Sequence, residues 1–235
     1  MIYRMLPLVL FFLMSFTTNE THNFTSKLVF SNSKSNLDLK VATIYGSLHS
    51  RNNALPKLES FSKALSGFYE LKDKGLVKKN IITLIDFSLS SSSKRLWVID
   101  LSTNTVLINT FVSHGMNSGG EFASSFSNKD ASFKSSLGFY ATGESYIGKH
   151  GLSMKLDGLE KGINDHARQR DIVVHGAYYS SPKILRSQSY LGRSQGCPAI
   201  PTELTKEIIN TIKNKSCLFI YHPSRNNKIP TKLVA

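Results

Sequence analysis

Cys197 and His175 are the two residues whose types and settings fit covalent chemistry. Cys197 lies in the polar turn Gly192-Arg193-Ser194-Gln195-Gly196-Cys197-Pro198, and His175 ends the apolar run Ile172-Val173-Val174. A thiol nucleophile needs a base to take its proton and donors aimed at the oxyanion formed on attack. A histidine delivered at a strand end meets the first need. A turn that bends sharply at Gly196 meets the second, by aiming backbone N–H groups at one oxygen. Two further features favour the thiolate. Residues 161–196 carry six Lys and Arg against Asp165 and Asp171, a net of +4. A helix opening near Thr202 would add the positive end of its dipole.

Short strands must position these residues. Ile81 to Phe87 reads as one, and Arg95 to Leu101 with Thr105 to Val112 as a hairpin about residues 102–104. The polar stretch 114–136 is a long loop, of the kind that is usually functional in a compact domain. Leu137 to Thr142 and Leu152 to Leu156 are further strands, with 146–151 as a turn-rich link. Pro201 precedes a helix to about Lys213, with Thr202 as N-cap and Leu204, Ile208, Ile209 and Ile212 as its apolar face. Leu218 to Tyr221 completes the core. The expected fold class is mostly β (α+β): a sandwich or barrel over residues 80–225 with one or two packed helices. Ahead of it, Leu58, Phe61, Leu65, Phe68 and Leu71 recur at helical spacing between Pro56 and Gly75, so 56–79 is expected as a helical extension. Residues 19–55 read as a polar linker or loosely packed arm, and 226–235 as a tail.

The 235 residues carry a net charge of +13, but Lys and Arg are spread along the chain, in pairs at most. No basic run or groove-binding motif is present, so nucleic acid is not the expected partner; an anionic cell wall or membrane surface suits the charge equally well. Residues 1–18 resemble a secretory signal: Arg4 is the positive lead, Leu6 to Met14 is a short apolar core, and no acid precedes Glu20. Export is expected, with membrane contact only through this segment if it stays uncleaved. The two cysteines invite a disulfide, but their settings differ. Cys217 sits in a strand-like run as a structural thiol, whereas Cys197 sits in a glycine-flanked turn as a reactive one.

The pattern His-Gly followed by Ser-x-Gly-Cys resembles the catalytic signature of the L,D-transpeptidases (YkuD-like). The wider blocks resemble the murein L,D-transpeptidase subfamily: Asp86 to Ser88, Arg95 to Leu101, Ser113 to Ser118, Phe126 to Asn128, Ser136 to Gly138, Tyr146 to Gly151, Arg170 to Gly176 and Gly192 to Ala199. The resemblance implies a largely β catalytic domain with Cys197 as nucleophile and His175 as its base. The carbonyl of Gly176 would orient the imidazole, and the backbone around Gly196 and Cys197, with Ser194, would shape the oxyanion site. Arg193, Gln195, His114 and Tyr146 are candidates for contacts to substrate. Gln195 stands where the familiar signature has His, and Ala199 where it often has Asn or Arg.

The implied reaction is acyl transfer on peptidoglycan stem peptides, with release of the terminal D-alanine and no cofactor or metal. An acceptor amine on a second stem or on a wall-linked protein resolves the thioester, while water gives L,D-carboxypeptidase activity. A wall-binding domain that keeps the fold without catalysis is the alternative class; the intact His175–Cys197 pair favours the enzyme.

Overall fold

In a computed structural model, eight strands form one sheet: Ile81–Asp86 (β1), Leu96–Asp100 (β2), Thr105–Thr110 (β3), Gly138–Gly148 (β4), Gly151–Gly158 (β5), Val173–Gly176 (β6), Ala199–Ile200 (β7) and Cys217–Tyr221 (β8). Their order across the sheet is β3-β2-β1-β8-β4-β5-β6-β7. Helices span residues 36–46 (α1), Leu58–Asp73 (α2) and Thr205–Ile212 (α3). The structure describes residues 36–50 and 53–225. The chain divides into two units, Met1–Leu37 and Asp38–Ala235, and the sheet belongs to the second. The expected signal at 1–18 and tail at 226–235 lie outside the described residues.

β1 and β8, paired in parallel, are apolar at nearly every position because both their faces are covered. On one face, Ile85, Leu218 and Ile220 join a core with Val98, Tyr140, Leu156 and Val174, into which α3 inserts Ile208, Ile209 and Ile212. On the other, α2 buries Phe61, Leu65, Phe68 and Leu71. Gly67 of α2 lies so close to the Phe139 ring, itself stacked on Phe219, that an added Cβ would meet it at 2.0 Å. Each buried apolar side chain contributes about 1.5–3 kcal/mol, so α2 is bound to the sheet by its apolar stripe. The sheet is nearly closed. Ser113, just past β3, donates its N–H to the carbonyl of Ala199 in β7 at 2.8 Å, so its two edges meet. The mostly β architecture with packed helices is the expected class.

Three local expectations are corrected. First, the stretch expected as a loose arm contains α1, whose Val41 is buried and whose Tyr45 ring lies 5.4 Å from that of Phe61. Beyond it, His49 bridges Thr105 and extends the β3 edge. Its polar composition reflects the exposed side of a helix with only one narrow buried face. Second, β4 runs on to Gly148 rather than ending near Thr142, because Tyr146 and Ile147 pair with Ser153 and Leu152 across a register shift. Glycines at 148 and 151 mark the ends of a tight hairpin, not a loose link. Third, Thr202 does not cap the last helix. Residues Thr202–Leu204 form a 3-10 turn, and Thr205 Oγ1 donates to the Pro201 carbonyl at 3.1 Å.

Candidate active site

β6 lies between β5 and β7, and this pairing places His175 opposite Ser153 on one side and Ala199 on the other. His175 is buried, and its Nδ1 lies 3.0 Å from the carbonyl oxygen of Gly176. A carbonyl can only accept, so Nδ1 carries the proton and Nε2 presents a lone pair. Gly176 is required here by close approach. An added Cβ would stand 2.3 Å from Thr205 Oγ1, because the start of α3 packs directly against it. Burial holds the His175 imidazole below its ordinary pKa, against the raising effect of the Gly176 bond; nearby Lys149 and His150 push it down further. Neutral imidazole is therefore the form present at neutral pH.

The Cys197 turn closes on itself through Ser194. Its hydroxyl donates to the Cys197 carbonyl at 2.6 Å and accepts the Gly196 N–H at 3.1 Å. Ser135 Oγ donates to the Gly196 carbonyl at 3.0 Å. Gly196 has φ +124, a region disfavoured for residues with a Cβ, and a Cβ there would stand 2.9 Å from the Lys134 carbonyl. Within the turn the Gly196 amide is thus paired with Ser194.

Cys197 Sγ accepts the Val173 N–H at 3.4 Å and lies 3.6 Å from the Asp171 carbonyl, to which the thiol donates. Among the described residues no hydrogen bond joins it to His175. Burial pushes the thiol pKa above its ordinary value; the Val173 N–H, Arg170 and Lys149 oppose that shift, and Asp171 reinforces it. The charge argument for a resting thiolate is thus corrected, because desolvation outweighs the surrounding cations.

Cys197, His175 and Ser194 line one cleft of about 900 Å³. Arg193, Gln195 and Tyr146 line it too, as do Lys149, His150 and Tyr179. Arg193 Nη1 donates to the Gly119 carbonyl at 3.2 Å, so its guanidinium is tethered at the rim. His114 is the exception. It is fully buried, with Nδ1 2.8 Å from Arg95 Nη2 and Nε2 3.2 Å from the Gly119 carbonyl, and it is not a cleft residue. Its backbone supports the site instead: Ser194 N–H donates to the His114 carbonyl at 2.9 Å.

Three contributors are not among the site residues expected from the sequence. Arg170 gathers the long loop, donating to the carbonyls of Ser127 and Lys134 and to the hydroxyls of Ser132 and Ser136. Ser135 accepts the Gly115 N–H at 3.0 Å as well as serving Gly196. His150 lays its ring over that of His175, with centroids 4.3 Å apart and planes 22° apart. Arg170 and His150 fall inside the blocks Arg170 to Gly176 and Tyr146 to Gly151 that carry the resemblance, whereas Ser135 lies in a serine-rich polar stretch with no such signal.

A family model described as the L,D-transpeptidase catalytic domain matches residues 52–221. No curated protein matches the chain. Among solved structures, similarity is found to an L,D-transpeptidase from Mycobacterium smegmatis (12% identity, 61% of this chain and 59% of that chain, TM-score 0.37). It is also found to an L,D-transpeptidase from Xylanimonas cellulosilytica (12%, 79% and 92%, TM-score 0.36). A third is the helical cell shape determining protein Pgp2 from Campylobacter jejuni (13%, 63% and 53%, TM-score 0.41). The chain thus spans less than two thirds of the first and third of these proteins. The match of the family model across strands, cleft and Cys197 turn makes this chain a member of the L,D-transpeptidase catalytic domain family.

Proposed function

We propose that the protein is a cysteine-dependent L,D-transpeptidase acting on peptidoglycan stem peptides. The observation that carries this is the hydrogen bond from His175 Nδ1–H to the Gly176 carbonyl, in a cleft that also holds the Cys197 thiol. That bond leaves Nε2 free to act as base.

Cys197 Sγ attacks the carbonyl carbon of the third stem residue as its proton passes to His175 Nε2. The carbonyl π pair moves to oxygen, and the Cys197 amide donates to the oxyanion. The tetrahedral intermediate then collapses. The C–N bond to the terminal D-alanine breaks, His175 returns its proton to the leaving amine, and a thioester remains. An amine on a second stem or a wall-linked protein attacks that thioester, loses a proton to His175, and displaces the thiolate, which is reprotonated. Water in place of the amine gives the L,D-carboxypeptidase outcome. Because resting thiol and imidazole are both neutral, proton transfer accompanies attack rather than preceding it. Ser194 holds the turn, and Arg193, Gln195 and Tyr146 are the cleft residues available to the stem. Such a substrate lies outside the cytoplasm, so the proposal includes export through residues 1–18 to the periplasm or cell envelope. Among the described residues no helix is long and apolar enough to cross a membrane.

The test is mass spectrometry of purified tetrapeptide muropeptides incubated with the full chain. Loss of D-alanine, with cross-linked or trimmed products, is expected, and none from Cys197→Ser. Unaltered muropeptides with folded wild-type protein would sink the reading in favour of a wall-binding domain.

A further inference from the structure

The β4–β5 hairpin carries a residue that the catalytic scheme above does not use. Gly148 and Gly151 end the two strands, and the turn between them is Lys149-His150. Pairing of Ser153 with His175 aligns this tip with the end of β6. There the exposed His150 ring stacks on the buried His175 ring at 4.3 Å between centroids and 22° between planes.

His175 has two rotatable side-chain bonds. Its Nδ1–H bond to Gly176 restrains the direction of Nδ1 but leaves the ring free to tilt about that bond. A second ring lying flat against the first restrains the tilt. We propose that His150 is a positioning residue for His175: it fixes the plane of the base and so the line along which Nε2 meets the Cys197 thiol. The inference rests on His175 being the base of the proposed reaction.

The stack also has an electrostatic consequence. A charge on His150 would sit face to face with His175 and resist its protonation, as Lys149 on the same turn also does. The other groups around the base are accounted for. Lys155 is paired with Asp171 at 2.7 Å, and the Arg170 donors are taken by the long loop. Tyr146 also lines the cleft, and the Cys197 thiol and Tyr179 share it in their neutral forms near pH 7, both being pushed up by burial. His150 is thus the cleft residue that can both restrain the ring and alter its charge balance.

The test compares full-length wild type, His150→Ala and His150→Phe, each checked for folding by circular dichroism. With a tetrapeptide stem as substrate, His150→Ala should lose kcat by roughly 2- to 12-fold, the worth of one ring stack, with KM little changed. His150→Phe restores a flat ring without a charge. It should recover kcat above pH 7 and shift the acid limb of the profile to higher pH. An NMR titration of the His175 Cε1–H, assigned with His175→Ala, needs no turnover. It should move to higher pH in both variants. An unchanged kcat in His150→Ala, no rescue by Phe, or an unmoved His175 titration would each overturn the proposal. Wild type with no turnover would remove the proposed function, while the titration would still decide whether His150 controls His175.

Discussion

Ser135 Oγ donates to the Gly196 carbonyl at 3.0 Å and accepts the N–H of Gly115 at the same distance. One hydroxyl thus ties the Cys197 turn to the segment that follows the closure of the sheet. Ser135→Ala would leave a buried acceptor and a buried donor without this partner. Each costs about 1–3 kcal/mol when unpaired. A lower urea midpoint with an unchanged slope is expected, together with reduced turnover because the turn loosens. Wild-type stability and activity in Ser135→Ala would show that the hydroxyl is dispensable.

Arg170 should matter more to substrate binding than to the chemical step. Its guanidinium holds four acceptors of the loop that puts Asp130, Ala131 and Phe133 at the cleft. Ala131 and Phe133 have φ of +50 and +53, conformations that need such outside support. Arg170→Met should raise KM and speed amide exchange at residues 127–136. Lysine should not rescue, because an ammonium cannot reproduce the planar fork. Unchanged exchange in that loop would remove Arg170 from this role.

Alkylation should separate the two cysteines, which are both free. Burial pushes the Cys197 thiol above its ordinary range, so iodoacetamide should label it slowly at pH 7 without substrate and faster as pH rises. Cys217 is fully buried, its pKa pushed up much further, and should stay unlabelled until the protein unfolds. Cys197→Ser should abolish turnover and Cys217→Ser should retain it. Rapid labelling of Cys197 at pH 7 would contradict the neutral resting thiol, and retained activity in Cys197→Ser would contradict its role as nucleophile.

His114 should make the fold acid-sensitive. Its pKa is pushed down to about 4, first by burial and then by neighbouring Arg95. The unfolded chain therefore binds a proton near pH 6.5 that the folded chain refuses. Stability is full above pH 6.5, falls as pH drops toward 4, and levels below that, a loss on the order of 3 kcal/mol. His175 and His222 are shifted in the same direction and add to the slope. Urea midpoints measured between pH 4 and 7 should change less in His114→Gln than in wild type. Equal pH dependence in the two would reject His114 as a source.

Much of the strand pattern was legible in the chain because periodicity is local. The runs at 81–86 and 217–221 are apolar at nearly every position since both faces are covered, and Phe61, Leu65, Phe68 and Leu71 mark a helix buried along one stripe, although Leu58 at its start is exposed. The His-Gly and Ser-x-Gly-Cys pattern likewise marked two residues that line one cleft. Tertiary structure alone decided which surfaces meet. Nothing in the sequence around His114 says that Arg95, 19 residues earlier, takes its Nδ1 and draws it out of the cleft. Nothing around Lys149-His150 says that β4 continues past a register shift to Gly148, so that this turn reaches His175 rather than wandering as a loop. The state of Cys197 was also beyond composition: nearby cations favour a thiolate, but the thiol packs against Asp171 and Val173, where burial outweighs them. Spacing along the chain specifies local conformation, whereas desolvation and ring contact depend on which distant segments the closed sheet brings together.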